Sequence, residues 1–357
     1  MLSMASTHPS GAEPLAGRGL PQLRFMGSKH RLLPWLSEVL AELEFDSVLD
    51  AFAGSGSVAY LLKTLGKAVT ANDALELSHQ VALAAVENSH HRLRPEHLER
   101  LLAPAPDGPD FIARTFEGIF FTAEDLRFLD RVWANLGTLE HPHLRALALA
   151  SLARACLKRQ PRGVFTVAGD PQRYNDGRRD LSLSLEQQFL ESAQCFNAAV
   201  LDTGRRHHAL RSDVFALSPE GHDLVYLDPP YVPRADDNCY IKRYHFVEGL
   251  MTYWQGPETE ILQESRVKKL KKRFTPFSYR RTALDAFDRL FRHFQASTLV
   301  LSYSSNGYPD LPVLVELMGR YKGKVEVHER PHRYSFGTHG KVKPERVVVR
   351  EYLLVGR

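Results

Sequence analysis

Asp228-Pro229-Pro230-Tyr231 is the segment whose residue types most narrowly restrict the chemistry they could perform. Two consecutive prolines fix φ and remove two backbone donors, so carbonyl oxygens dominate the local surface. The segment therefore offers a carboxylate, an exposed carbonyl and an aromatic face. These suit an amino group carried on a flat heterocycle. Such a nitrogen is a poor nucleophile, because its lone pair is delocalised into the ring. The Asp228 carboxylate and the Pro229 carbonyl can accept hydrogen bonds from its two N–H groups. That draws the nitrogen towards a tetrahedral shape and localises the lone pair. Tyr231 can stack on the ring, an interaction worth roughly 1–3 kcal/mol per base. No covalent intermediate on the protein is needed. The alternative is a Pro-Pro turn that only closes a strand.

A second constellation lies earlier. Gly54-x-Gly56-x-x-Ala59 follows a short apolar segment ending at Asp50, and Asp73 comes 23 positions after Asp50. Glycines let a backbone approach an adenosine ligand closely, and an acid at the end of the next strand can accept bonds from ribose hydroxyls. By itself the turn serves a dinucleotide as well as S-adenosylmethionine, and it also fits an ordinary tight turn. Two details favour S-adenosylmethionine. Asp50 stands just before the turn, where a carboxylate neutralises an α-ammonium group and repels a pyrophosphate. The start of the following helix also lacks a basic residue for phosphate. Together the two constellations predict methyl transfer to an amino nitrogen. If that nitrogen belongs to a base in duplex DNA, the base must be flipped out, at a cost of a few kcal/mol.

The elements that hold these residues are partly visible. Apolar residues at helical spacing (Leu32, Leu33, Leu36, Val39, Leu40, Leu43) predict a helix over 29–44. Residues 47–50 read as a buried strand, 57–65 as a helix, and 67–71 as a second strand ending at Asn72-Asp73. From about 75 to 200 helical periodicity dominates, over 75–102, 122–136 and 143–157, with Pro and Gly at 104–109 and 161–177. Strand signals return at 208–211, 223–228, 297–302, 324–328 and 346–355, the last two as a terminal hairpin. The pattern is α/β, a sheet interrupted by a helical insertion.

In these residues the chain resembles the Dam-like, alpha-group N6-adenine DNA methyltransferases, in scattered blocks over most of its length. Arg24-Phe25-Met26-Gly27-Ser28-Lys29 is similar to the family's N-terminal motif. The resemblance implies that Phe25 packs on the cofactor and that Lys29 approaches its methionine carboxylate. Asp50-Ala51-Phe52-Ala53-Gly54-Ser55-Gly56 resembles the methionine-binding turn, Asp73 the ribose acid, and Asp213-Val214-Phe215 the segment that contacts the cofactor adenine. Asp228 to Tyr231 resembles the catalytic motif. Tyr334-Ser335-Phe336-Gly337 and Glu351-Tyr352-Leu353-Leu354 resemble C-terminal blocks. Arg154-Ala155-Cys156 and Arg162-Gly163-Val164-Phe165 resemble a segment near the recognition domain.

The expected catalytic residues are thus Asp228, Pro229, Pro230 and Tyr231. Those expected to bind S-adenosylmethionine are Phe25, Lys29, Asp50, Phe52, Gly54, Gly56, Asp73, Asp213, Phe215 and Asp228. A glycine turn placed before Asp-Pro-Pro-Tyr implies the alpha group. Asp rather than Ser at the first motif position favours adenine over cytosine N4. The expected fold is a Rossmann-like S-adenosylmethionine-dependent methyltransferase sheet with an inserted, mainly helical target-recognition domain. Residues 1–20 form a flexible leader, 21–75 and 205–357 the catalytic domain, and 76–204 the insertion. The expected activity is site-specific methylation of a flipped adenine, as the modification enzyme of a restriction–modification system. Double-stranded DNA is the expected partner, a cognate restriction endonuclease a further one, and the protein is expected to be a cytoplasmic monomer.

Arg266-Val267-Lys268-Lys269-Leu270-Lys271-Lys272-Arg273 holds six cations and no acid, so it either binds phosphates or forms a solvated helix face. The stretches 154–162 and 173–179 are rich in Arg, the second with Tyr174 and Asn175, side chains that can read base edges. They fit a polar surface loop equally well. Tyr244-His245-Phe246, 16 residues past Asp228, are expected near the flipped base or the cofactor. Cys239 is not preceded by Pro, which argues against a thiolate mechanism. The three cysteines and 16 histidines show no Cys-x-x-Cys or His-Glu-x-x-His spacing, so no metal site is expected. A net charge of +4 admits a polyanionic partner without requiring one. No apolar run nears the ~20 residues of a membrane span. The competing functions are an amino-group methyltransferase acting on RNA, an NAD-dependent oxidoreductase, for which Asp-Pro-Pro-Tyr has no role, and a non-catalytic DNA-binding protein.

Overall fold

Both faces of the sheet are covered, and the strands show why. The computed structural model describes residues 19–169, 177–233, 239–333 and 348–357. Seven strands form one sheet: β1 (Ser47–Asp50), β2 (Ala68–Asp73), β3 (His208–Arg211), β4 (Leu224–Leu227), β5 (Thr298–Ser304), β6 (Val325–Arg333) and β7 (Val348–Gly356). The helices are α1 (Leu33–Ala41), α2 (Ser57–Thr64), α3 (Glu76–Ala82), α4 (Pro95–Leu102), α5 (Phe111–Thr115), α6 (Ala123–Asn135), α7 (Pro142–Arg159), α8 (Arg179–Ser182), α9 (Leu185–Ala199), α10 (Tyr240–Thr252), α11 (Arg280–His293) and α12 (Leu311–Gly319). Val48, Leu224, Tyr226 and Val300 pack on one side against α1 and α2. Leu49, Val225, Leu227, Leu299 and Leu301 alternate with them and pack on the other side against α11 and α12. A strand buried on both faces must be apolar at every position, so it reads as an unbroken apolar run.

The strand order is β3-β2-β1-β4-β5-β7-β6. β1 to β5 are parallel. β7 runs antiparallel between β5 and β6, so the expected terminal hairpin is present but its second strand lies inside the sheet. Chain order reverses between β1 and β4, and at such a switch point open α/β sheets leave a crevice at the carboxyl ends of the strands. Asp50 ends β1, Asp73 ends β2, and Asp228 follows β4 directly.

Between β2 and β3 the described chain is helical. α7 is buried on nearly all sides, from Leu144 to Leu157, as a central helix must be. Its core is continuous with Leu20, Leu23 and Tyr60, and with Tyr244, Phe246, Val247 and Leu250 of α10. The helix expected over 75–102 is broken at 88–94. Asn88 ends it by accepting from the His90 and His91 amides and donating to the Ala84 and His91 carbonyls. A side chain that offers the backbone local partners competes with the helical ladder in this way. Among the described residues no helix is long and apolar enough to cross a membrane.

α3 has no side-chain cap of its own. Glu248, on α10 and 1% exposed, supplies one: its oxygens accept from the Glu76 and Leu77 amides, both at 3.0 Å. Arg273 sits 3.4 Å from the same carboxylate. This contact ties the turn that follows Asp73 to the helix that follows the Asp-Pro-Pro-Tyr segment. Glu248→Ala leaves two buried amides unsatisfied, so it should lower the unfolding free energy by roughly 2–4 kcal/mol. Urea denaturation measures this, and an unchanged midpoint would remove the capping role.

Candidate active site

A cleft of about 490 Å³ opens at the carboxyl ends of β1, β2 and β4. That size suits a nucleoside-sized ligand. Of the residues expected to bind the cofactor, Phe25, Lys29, Asp50, Phe52, Gly54, Asp73, Asp213, Phe215 and Asp228 all line it. Gly56 does not. It adopts φ +74° at the start of α2, and a Cβ there would lie 3.3 Å from Val81 and 3.5 Å from Leu20. Its smallness serves the packing of α2 rather than access to a ligand. Gly54, at φ +51°, does face the cleft, and a Cβ on it would come within 3.3 Å of the Phe25 ring.

The three carboxylates have different surroundings. Asp73 is held by backbone, its oxygens accepting from Gly54 N at 2.8 Å and Leu75 N at 2.9 Å. Burial raises its pKa, and those amides offset the rise in part. Asp50 is 1% exposed, and neither of its oxygens completes a hydrogen bond. Burial and the nearby Asp228 carboxylate push its pKa up to about 8, against a weak opposing pull from the Phe52 and Ala59 amides. A carboxylate left buried and unpaired at the base of a cleft is a site for a cation. Asp228 is paired: Lys29 Nζ donates to both its oxygens, at 2.8 and 2.7 Å. Burial still raises the Asp228 pKa, and Lys29 opposes that rise. For Lys29 burial disfavours the charge, but Asp228 and Glu351 outweigh it and hold the ammonium protonated above its ordinary range.

Aromatic rings form two of the walls. Phe25 stacks on Tyr244 (4.9 Å between centroids, 6° between planes) and on Tyr240 (5.4 Å, 28°). The Met26 amide donates to the Tyr244 hydroxyl at 2.6 Å. Phe277 stands edge-on to Phe52 and parallel to Phe215. This apolar cluster lies beside Asp213, which caps its own turn by accepting from Phe215 N. Pro230 lines the cleft with Asp228, whereas Pro229 and Tyr231 do not. The Tyr231 ring leans on Tyr303, 5.1 Å away, next to the short antiparallel pair 232–233 and 307–308.

Other expectations are corrected. Tyr244 reaches the site through Phe25, but His245 and Phe246 face the helical core. His245 is held against the Phe165 carbonyl at 2.7 Å, and burial lowers its pKa to about 4. The cationic run 266–273 is not a helix. It folds back on residues 260–262 through an Ile261–Leu270 bridge, with Val267 and Leu270 buried. Only its end, Lys272 and Arg273, lines the cleft. Arg154 bonds Gln22 O and Ser192, and Arg159 bonds Asp125 and the Leu181 carbonyl, so both serve internal structure. Residues 1–18, Arg173, Tyr174, Asn175 and 334–337 lie outside the described residues.

Tyr240, Glu248 and the Phe277 wall carry no motif. The i, i+4 spacing of Tyr240 and Tyr244 is the one local signal that could have shown a shared aromatic face.

The sheet order, the glycine turn after β1 and Asp-Pro-Pro-Tyr after β4 define an α/β methyltransferase with a nucleoside-sized cleft and an amino-nitrogen acceptor. Residues 25–303 match the D12 class N6 adenine-specific DNA methyltransferases, and the chain belongs to that family. It is 28% identical over 328 residues to the type II methyltransferase M2.HphI of Haemophilus parahaemolyticus, covering 88% of this chain and 92% of that protein. It is 24% identical to the type II methyltransferase M.NlaIII of Neisseria lactamica, covering 87% and 92%. The match to the modification methylase LlaI of Lactococcus lactis subsp. lactis is 23% identical and covers 93% of this chain but 54% of that protein. The family acts on DNA and requires a methyl donor.

The elevated Asp50 pKa has a consequence for stability. Unfolded, the group titrates near 3.9; folded and ligand-free, it titrates near 8. Between those values the folded state holds the extra proton, so this residue makes stability fall as pH rises. Asp50→Asn should remove that fall, leaving the variant more stable than the parent at pH 8 and similar to it near pH 4. Thermal unfolding without ligand tests this, and parallel pH profiles would contradict the buried, unpaired state of Asp50.

Proposed function

We propose that this protein methylates N6 of adenine in DNA with S-adenosylmethionine as donor, through Asp228 and the carbonyl of Pro229. The observation that carries the proposal is the unpaired, buried Asp50 carboxylate beside the paired Asp228 carboxylate in one cleft. Asp50 fits the α-ammonium of S-adenosylmethionine. Asp73 fits the ribose hydroxyls, since each oxygen keeps a lone pair beyond its amide partner. Phe52, Phe215 and Phe277 fit the adenine of that cofactor. When bound, S-adenosylmethionine supplies an electrophilic methyl group.

The protein's own part is acceptor geometry. Asp228 and the Pro229 carbonyl accept the two N6 hydrogens and localise the nitrogen lone pair. Asp228 can do this only as a carboxylate. In a buried cleft, Lys29 keeps it in that form. Each Asp228 oxygen retains a lone pair after binding Lys29, so the ion pair and the base can coexist. Tyr231 lies off the cleft beside Tyr303, and its role in this reading is to stack on the flipped base.

We further propose that residues 76–204 contribute target recognition, supported by their place between the two motifs. Arg154 and Arg159, being engaged internally, are not the base-reading groups. Arg266, Lys271 and Lys272 are exposed, the last of them on the cleft lining, and suit phosphate contacts. A restriction–modification role follows the names of the relatives, with an endonuclease as partner.

Asp228→Ala should reduce methyl transfer by roughly 10²–10³ or more while keeping cofactor affinity within a few-fold. Tritium transfer to DNA and calorimetric cofactor binding measure the two. Activity within a few-fold of the parent would refute the role. Asp73→Ala should instead weaken cofactor binding, and an unchanged dissociation constant would count against it. Lys29→Met removes the charge that opposes the raised Asp228 pKa, so the acid limb of the kcat–pH profile should move to higher pH. A limb that stays in place would show that Lys29 does not set the charge of Asp228.

A further inference from the structure

We propose that His91, His141 and His143 form a binding site for one divalent transition-metal ion, Zn²⁺ foremost, away from the catalytic cleft. One ring nitrogen from each lies within 4.8 Å of the others. The three come from two segments: the loop that Asn88 stabilises after α3, and the first residues of α7. None of them lines the cleft.

The surroundings orient the His141 and His143 rings and hold the His91 backbone. Glu87 Oε1 lies 3.0 Å from His143 Nε2, and Glu87 Oε2 accepts from the Ala209 amide on β3 at 2.7 Å. The opposite nitrogen of that ring, Nδ1, is buried and has no hydrogen-bond partner. A carboxylate that fixes one imidazole nitrogen while the other points to a metal is the recurrent support around metal-bound histidines. His141 Nδ1 accepts from the His143 amide at 3.3 Å, leaving Nε2 available. The His91 backbone is bracketed on both sides by Asn88, its amide bonded to Asn88 Oδ1 and its carbonyl to Nδ2, each at 2.9 Å.

The chemistry also fits. The His91 and His141 rings stack with centroids 3.5 Å apart. Protonating both would place two cations in contact. Imidazole donors with no thiolate select Zn²⁺ and its late first-row neighbours over Mg²⁺ or Ca²⁺. Tetrahedral zinc at ~2.0–2.1 Å separates its ligand nitrogens by about 3.3 Å, so no pair needs to close by more than about 1.5 Å, through ring rotation. Water would complete the coordination. The ion would clamp the 88–91 loop to the start of α7, and through Glu87 to the β3 edge.

The test uses the tag-free full chain, stripped with chelator and titrated with ZnCl₂ by calorimetry and with CoCl₂ by visible absorption. One equivalent should bind, with ligand-field bands from Co²⁺, and Zn²⁺ should raise the thermal unfolding midpoint. His141→Ala and His143→Ala should each weaken affinity by roughly 100-fold or more. Glu87→Gln should weaken it by about 10–100-fold. No saturable uptake by the parent, or equal uptake by both histidine variants, overturns the proposal. Should either variant not fold, diethylpyrocarbonate mapping of the parent decides: Zn²⁺ must protect His91, His141 and His143, and their unchanged modification overturns the site.

Discussion

The crowding of carboxylates at one sheet edge is the constraint on which the rest of the structure depends. Parallel strands lie about 4.8 Å apart, so acids ending β1 and β2 and following β4 face one another across a narrow crevice. Asp50 is buried and Asp73 and Asp228 are half-buried, and desolvation raises the pKa of each. The protein stabilises them unequally. Asp73 has two well-formed amide hydrogen bonds, Asp228 has a buried lysine, and Asp50 completes no hydrogen bond and has only the weak pull of the Phe52 and Ala59 amides. The proposed division of work rests on that inequality: the amide-held acid for a neutral ligand group, the lysine-held acid for the amino nitrogen, and the unpaired acid for a cation.

Lys29 is the element that makes the arrangement tolerable. Its ammonium is 5% exposed and contacts both oxygens of Asp228. A buried pair of this kind repays desolvation only when the geometry is good and further charges help. Here Glu351, from β7, adds to the field that keeps Lys29 charged. The reversed strand thus contributes to the electrostatics of the cleft as well as closing the sheet. The sequence resemblance implied that Lys29 approaches a cofactor carboxylate; the structure places it on the catalytic-motif aspartate. Nζ also donates to the Gly27 carbonyl at 3.3 Å, so its three donors are engaged and a cofactor carboxylate would have to displace one of these partners.

Much of the site was legible because its chemistry is local. Asp-Pro-Pro-Tyr and the glycine turn are short, and each sits directly behind a strand, where period and composition speak clearly. Two glycines two positions apart were not separable that way. Gly54 faces the cleft, whereas Gly56, at the N-cap of α2, faces Val81 and Leu20. Tyr244, His245 and Phe246 are consecutive, yet helical rotation sends the first to Phe25 and the other two into the helical core. The 88–94 break went unseen because it rests on hydrogen bonds from one asparagine side chain. The cationic run 266–273 read as either a phosphate-binding segment or a solvated helix face from its charges; the fold instead uses its two apolar residues, Val267 and Leu270, to anchor a loop.

By itself, the sequence determined the class of protein, the order of the strands whose ends meet at the cleft, and the residues proposed to act on an amino nitrogen. These follow from residue type and spacing along the chain. Tertiary structure alone decided which acid is paired and which is not, that Lys29 pairs with Asp228, and that Glu248 caps a helix 172 positions earlier. It also decided that three histidines with no motif spacing converge. Ionisation and metal affinity depend on distance and burial, and both are set by packing between segments far apart in the chain.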